Sequence, residues 1–173
     1  LLNSSEKIKN LSLGNNVVSH NKITSPAKFY SHHAGIWVES YGSRISNNYI
    51  TDAPKAGIMG FPVLTEISFN HIERSGLEIC DIGSIYIAGT SWLQGRNNLI
   101  KNNFIKDSGG YCFNDSEGKW QFHKTSWGVY LDDGASFNSV SDNIVVDAAQ
   151  ACYINNLGKG NSFINNICYL PRT

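Results

Sequence analysis

Residues 126–167 read "SWGVYLDDGASFNSVSDNIVVDAAQACYINNLGKGNSFINNI", and the stretch says nearly the same thing twice. Gly128-Val-Tyr-Leu-Asp-Asp133 lies over Ala151-Cys-Tyr-Ile-Asn-Asn156, and Ser141-Asp-Asn-Ile144 over Ile164-Asn-Asn-Ile167, both at an offset of 23 residues. One copy carries the carboxylates Asp132 and Asp133 where the other carries the amides Asn155 and Asn156. Earlier copies open at Gly35-Ile-Trp-Val-Glu39, Gly57-Ile-Met-Gly60 and Ser84-Ile-Tyr-Ile-Ala88. Each is followed by an Asn before a β-type pair, at Asn48, Asn70, Asn103, Asn143 and Asn166, with Asn21 in a first, incomplete turn. Units of 22 to 27 residues, built from runs of 3 to 5 residues with period two, predict short strands separated by tight bends.

A unit that small cannot bury its own apolar face, so copies must stack. The chain is therefore expected to be all-β, a right-handed parallel β-helix solenoid of about six coils. The recurring Asn tolerates the left-handed backbone of a sharp corner, and its amide can bond the Asn of the next coil, giving an asparagine ladder. Asn138 falls outside that register and reads as a surface residue. Residues 1–173 form one expected domain, taken as a fragment of a longer solenoid because no Met opens it. "SGGYCFNDSEGKWQFHKTS", residues 108–126, is polar and Gly-rich and reads as a long loop.

Fourteen basic and fourteen acidic residues cancel, so no basic field points to nucleic acid or an anionic membrane. No apolar run is long enough to span a bilayer. Cys80, Cys112, Cys152 and Cys168 lack metal-ligand spacing. Cys152 and Cys168 read as small buried hydrophobes, while Cys80 and Cys112 could pair in an exported protein. Ser31-His-His-Ala34 reads as exposed loop histidines and Gly158-Lys-Gly-Asn161 as a tight turn. Neither a metal nor a cofactor is expected. The unpaired backbone at open solenoid ends, near Leu11–Leu13 and Ile164–Leu170, predicts self-association or a missing capping segment.

Strand alternation turns Trp37, Met59, Tyr86, Tyr130 and Tyr153 outward, in a column one rung apart that a sugar ring could lie on. The next outward row is Glu39, Phe61, Ala88, Asp132 and Asn155, so Asp132→Asn would copy the following coil's Asn155. Asp133 falls at the corner, where its neighbour's like charge raises one pKa. Asp81 enters the same face from the preceding coil, and His123 and Lys124 arrive from the long loop. Paired carboxyls at that spacing suit glycoside hydrolysis, with Asp132 the acid expected to matter most and Asp81 its partner. The alternative is a structural turn or cation site at Asp132-Asp-Gly134.

"EICDIGSIYIAGTSW" (78–92), "LIKNNFIKD" (99–107) and "SWGVYLDDGASFNSVSDNIVV" (126–146) together resemble the central coils of carbohydrate-active right-handed β-helix proteins. Bacterial β-helix glycoside hydrolases are the nearest likeness, in a fold shared with pectate lyases and polygalacturonases. The resemblance implies a carbohydrate partner, catalytic roles for Asp81 with Asp132 or Asp133, and sugar contacts that include Trp92 beside Trp37, Tyr86, His123, Tyr130 and Tyr153. It also implies an extracellular or periplasmic site of action. A non-catalytic glycan-binding or structural module, or a polysaccharide lyase, is the alternative to a hydrolase.

Overall fold

The computed structural model describes residues 13–122 and 125–169. Each coil contributes three short strands. The first comprises β1 (Val17–Ser19), β2 (Lys22–Thr24) and β3 (Ile36–Val38), and the second β4 (Arg44–Ser46), β5 (Tyr49–Ala53) and β6 (Ile58–Gly60). The third holds β7 (Glu66–Ser68), β8 (His71–Ser75) and β9 (Ile82–Ala88). The fourth holds β10 (Leu99–Lys101) and β11 (Phe104–Ser108), then a hairpin of β12 (Tyr111–Asn114) and β13 (Lys119–Phe122), then β14 (Ser126–Asp132). β15 (Ser139–Ser141), β16 (Ile144–Ala148) and β17 (Ala151–Asn155) make the fifth, and β18 (Ser162–Ile164) and β19 (Ile167–Tyr169) begin another.

Equivalent strands pair in parallel from coil to coil, forming sheet A (β1-β4-β7-β10-β15-β18), sheet B (β2-β5-β8-β11-β16-β19) and sheet C (β3-β6-β9-β14-β17). The result is the expected all-β right-handed parallel β-helix. Its core consists of aligned apolar columns. Ile45, Ile67, Ile100 and Val140 project from sheet A, Ile50, Ile72, Ile105 and Val145 from sheet B, and Ile58, Ile85, Val129 and Leu131 from sheet C. β-branched side chains dominate because a pleated, laterally crowded surface suits their stiff χ1.

The asparagine ladder forms as expected. Nδ2 of Asn21, Asn48, Asn70, Asn103 and Asn143 each donates to Oδ1 of the next Asn, ending at Asn166, at 2.9 to 3.0 Å. The second amide hydrogen reaches a backbone carbonyl of the preceding coil, for example Asn103 to Ile67 at 2.9 Å. The left-handed backbone, however, falls one residue earlier, on His20, Asn47, Phe69, Asn102, Asp142 and Asn165. That residue makes the bend, which leaves the ladder Asn free to point inward and bond. A second ladder runs through the corner between sheets C and A. There Asn98 donates to Asn138 at 2.9 Å, and Asn138 to Asn161 at 3.1 Å. Asn138 is therefore 1% exposed and not a surface residue.

Three further expectations are corrected. Residues 108–126 do not form a plain loop, because Tyr111 pairs with Phe122 and Phe113 with Trp120 across an antiparallel hairpin. Cys152 and Cys168 form a disulfide (Cα–Cα 5.7 Å), since buried Cys152 on sheet C and exposed Cys168 on sheet B face each other in the last coils. Tyr153 points inward, because β17 pairs with β14 at an offset of 24 (Val129 with Tyr153) although the sequence aligns at 23. Turned inward, Tyr153 covers the end of the apolar core and donates its hydroxyl toward the carbonyls of Asn143 and Ile167, 3.2 Å from each. Leu11 and Leu170, named with the open ends, lie outside the described residues.

Candidate active site

The outer face of sheet C carries the chemistry. Trp37 pairs with Met59, Met59 with Tyr86 and Tyr86 with Tyr130, and Ile154, not Tyr153, continues the column, but it is not an open platform, because Met59 is covered by Ala56 and Ile82 and Tyr130 is buried. The rings of Tyr86 and Tyr130 meet edge to face with centroids 5.0 Å apart, and Trp127 lies 4.6 Å from Tyr130 on its other side. Gly83 makes room for them, because a Cβ there would sit 2.8 Å from that of Tyr130.

Asp132 faces outward opposite Ala88, as alternation requires, yet only 6% of its surface is exposed. Four groups converge on its carboxylate, Tyr130 among them. Tyr86 donates its hydroxyl to Oδ2 at 2.5 Å, while Asn156 Nδ2 and the Asp133 N–H donate to Oδ1, each at 2.7 Å. The rung neighbour of Asp132 is thus Asn156, not Asn155, a consequence of the one-residue slip in β17. Burial pushes the Asp132 pKa up, but the hydrogen bonds from Tyr86, Asn156, Asp133 and Tyr130 outweigh it and hold the carboxyl below its ordinary value. Burial first, then the Asp132 carboxylate, raises the pKa of both tyrosines, so both stay protonated donors.

Asp133 follows at the corner, exposed and in the left-handed region at φ 48°. Partial burial and the negative charges of Asp132 and Asp81 raise its pKa. Asp81 is also exposed and left-handed, at φ 54°, and its N–H donates to Thr125 Oγ1 at 3.3 Å. Its carboxylate acts on Tyr130 together with that of Asp132. Three carboxylates from two successive coils therefore gather around two tyrosines. The preceding Cys80 is bonded to Cys112 (Cα–Cα 5.6 Å), which ties the root of the hairpin to the site.

The remaining candidates scatter. Trp37 stands on the same face two rungs from Tyr86 and three from Tyr130, its indole N–H donating to Glu39 Oε1 at 2.9 Å. Trp92 is 77% exposed in the connection after β9, off the column, with its carbonyl accepting from Arg96. His123 and Lys124 lie outside the described residues. Among the described residues no group of three His, Cys, Asp or Glu is arranged to hold a metal ion. Sequence reasoning missed Asn156 and Trp127, and it missed the hairpin. Aromatic alternation at Tyr111/Phe113 and Trp120/Phe122, on either side of Asp115-Ser-Glu-Gly118, is the signal that could have found the hairpin.

The family description "Right handed beta helix region" matches residues 3–169. The chain belongs to this family. No curated protein and no solved structure matches this right-handed β-helix.

Proposed function

We propose that this β-helix is a carbohydrate-active protein that hydrolyses glycosidic bonds at the Asp81/Asp132/Asp133 cluster. The observation that carries this is a division of labour among neighbouring carboxyls. Asp132 is driven toward the ionised form and Asp133 toward the protonated one, within a single cluster. Environments that push two carboxyls apart in this way separate an acid from a base. Asp133, exposed and with its pKa raised, is the general acid for the leaving oxygen. Asp81, exposed on the neighbouring coil, is the carboxylate that activates water or attacks the anomeric carbon. Asp81 precedes the start of β9 while Asp132 ends β14 and Asp133 follows it, and the Asp81 charge reaches both Tyr130 and Asp133, so the carboxyls approach the tyrosines from two sides as paired glycosidase acids flank a bond. After partial burial, the like charge of Asp132 raises the Asp133 pKa further, and Asp132 supplies a negative field for the oxocarbenium-like transition state.

A non-catalytic glycan-binding module is the second reading. What favours it is that Tyr86, Asn156 and Asp133 already occupy both Asp132 oxygens, which is also how a purely structural staple between coils would look. Product analysis over a panel of glycans separates the two. New reducing ends that vanish in Asp133→Asn support hydrolysis. Unsaturated ends would indicate a lyase, and binding with no product would indicate the module.

A further inference from the structure

The outer face of sheet C has a second feature that the acid cluster does not use. At its far end Trp37, 38% exposed, is held by its bond to Glu39 and flanked by Phe61 at 5.9 Å and His33 at 6.5 Å. Tyr30 stands 5.9 Å beyond His33 and is largely exposed. Buried rings explain themselves as core; this row is half open to solvent and its tryptophan is fixed in orientation. Met59 and then Tyr86 connect Trp37 to the acids, which places it two rungs, about 9.6 Å, from the tyrosine that touches Asp132. One rung is close to the length of a pyranose unit in an extended chain.

The charge of the face is one-sided. Its five strands carry no Lys or Arg, while Glu39, Asp81, Asp132 and Asp133 all lie on or beside it. Among the described residues none of these four carboxylates forms an ion pair, although Asp52, Glu66, Glu73 and Glu117 elsewhere do. A chain of uronic acids laid on this face would meet several like charges, at close range and against a low-dielectric wall.

We propose that the ligand is an uncharged glycan chain laid along the solenoid axis, with its reacting unit over the acid cluster and a unit two to three rungs away stacked on Trp37. This rests on the glycan reading of the acid cluster. Trp37 is then a specificity determinant for chain length, and the acidic face excludes polyuronates.

Affinity electrophoresis of the full chain through gels of xylan, β-glucan, galactomannan or polygalacturonate tests this. At least one neutral polysaccharide should retard the protein and polygalacturonate should not. Trp37→Ala should weaken that retardation at least tenfold, Trp37→Phe less, and Glu39→Gln little. Phe69→Ala, on the corner between sheets A and B, should leave it unchanged. Retardation by polygalacturonate as strong as by the neutral chains, full retardation of Trp37→Ala, or no retardation by any neutral polysaccharide would overturn the proposal. Because the readout is binding, the two claims fail separately. Retardation without cleavage sinks the hydrolase assignment alone, and cleavage of polygalacturonate sinks the uncharged-ligand inference alone.

Discussion

Tyr86, in the third coil, donates its hydroxyl to Asp132 of the fourth at 2.5 Å, and so ties a buried carboxylate to the neighbouring strand of the same sheet. A hydrogen bond to a charged group contributes about 1.5 to 3 kcal/mol. Tyr86→Phe should therefore lower unfolding stability by about that amount in urea titration. Tyr86→Phe together with Asp132→Asn should cost less than the sum of the single changes. Full additivity would show that the bond contributes nothing.

The second ladder sets a further test. Asn138→Leu should cost as much as Asn103→Leu, about 1 to 3 kcal/mol each, because either change strands the buried donors of its neighbours. Exposed Gln150→Ala should stay within about 0.5 kcal/mol of wild type. Equal melting temperatures for all three variants would refute the ladder at the corner between sheets C and A.

Cys152 and Cys168 close a loop across the end of the solenoid, with a separation of 16 residues. Chain-entropy arguments put such a link at about 3 kcal/mol. Replacing both by Ala should lower stability by about that much and speed amide exchange in β17 and β19 before β9 and β14. Unchanged exchange there would mean that Tyr153 caps the end unaided.

The pH dependence follows from the signs of the two shifts. Asp132 has a depressed folded pKa, so its contribution to stability is complete above the ordinary carboxylate range and is lost as pH falls through the folded value. Asp133 is raised and works the other way, opposing folding once it ionises, above its unfolded pKa. In acid titrations of stability, Asp132→Asn should flatten the low-pH fall, and Asp133→Asn should raise stability near neutral pH relative to wild type. Identical curves for all three proteins would remove the electrostatic account of the cluster.

How far the sequence foretold this depends on what repeats. The inward Ile and Val columns and the Asn21-to-Asn166 ladder were legible because every coil restates them. So was the outward run from Trp37 to Tyr130. The last coil was not, since the 23-residue alignment and the 24-residue pairing of β17 put Tyr153, Ile154 and Asn155 on opposite faces, and only the pairing shows Tyr153 packing against the core. The Asn98–Asn138–Asn161 ladder was hidden because Ser43 and Thr65 take its place in earlier coils. Asp132 could be placed on that face by alternation, and Asp81 beside it from the connection that enters the Ser84 strand. That Asp132 would be buried, ionised and clamped depended on the reach of Tyr86 and on Asn156, which no local pattern reveals.

The pH profile of kcat/KM on a neutral glycan that the wild type cleaves, measured beside Asp133→Asn, tests the central claim most directly. A general acid with a raised pKa predicts that the rate falls as pH rises through that value. It further predicts that Asp133→Asn, still folded, loses about 10² to 10⁴-fold in rate together with the alkaline limb. An Asp133→Asn protein that keeps the full rate and the same profile would contradict the assignment and leave the cluster as a staple between coils.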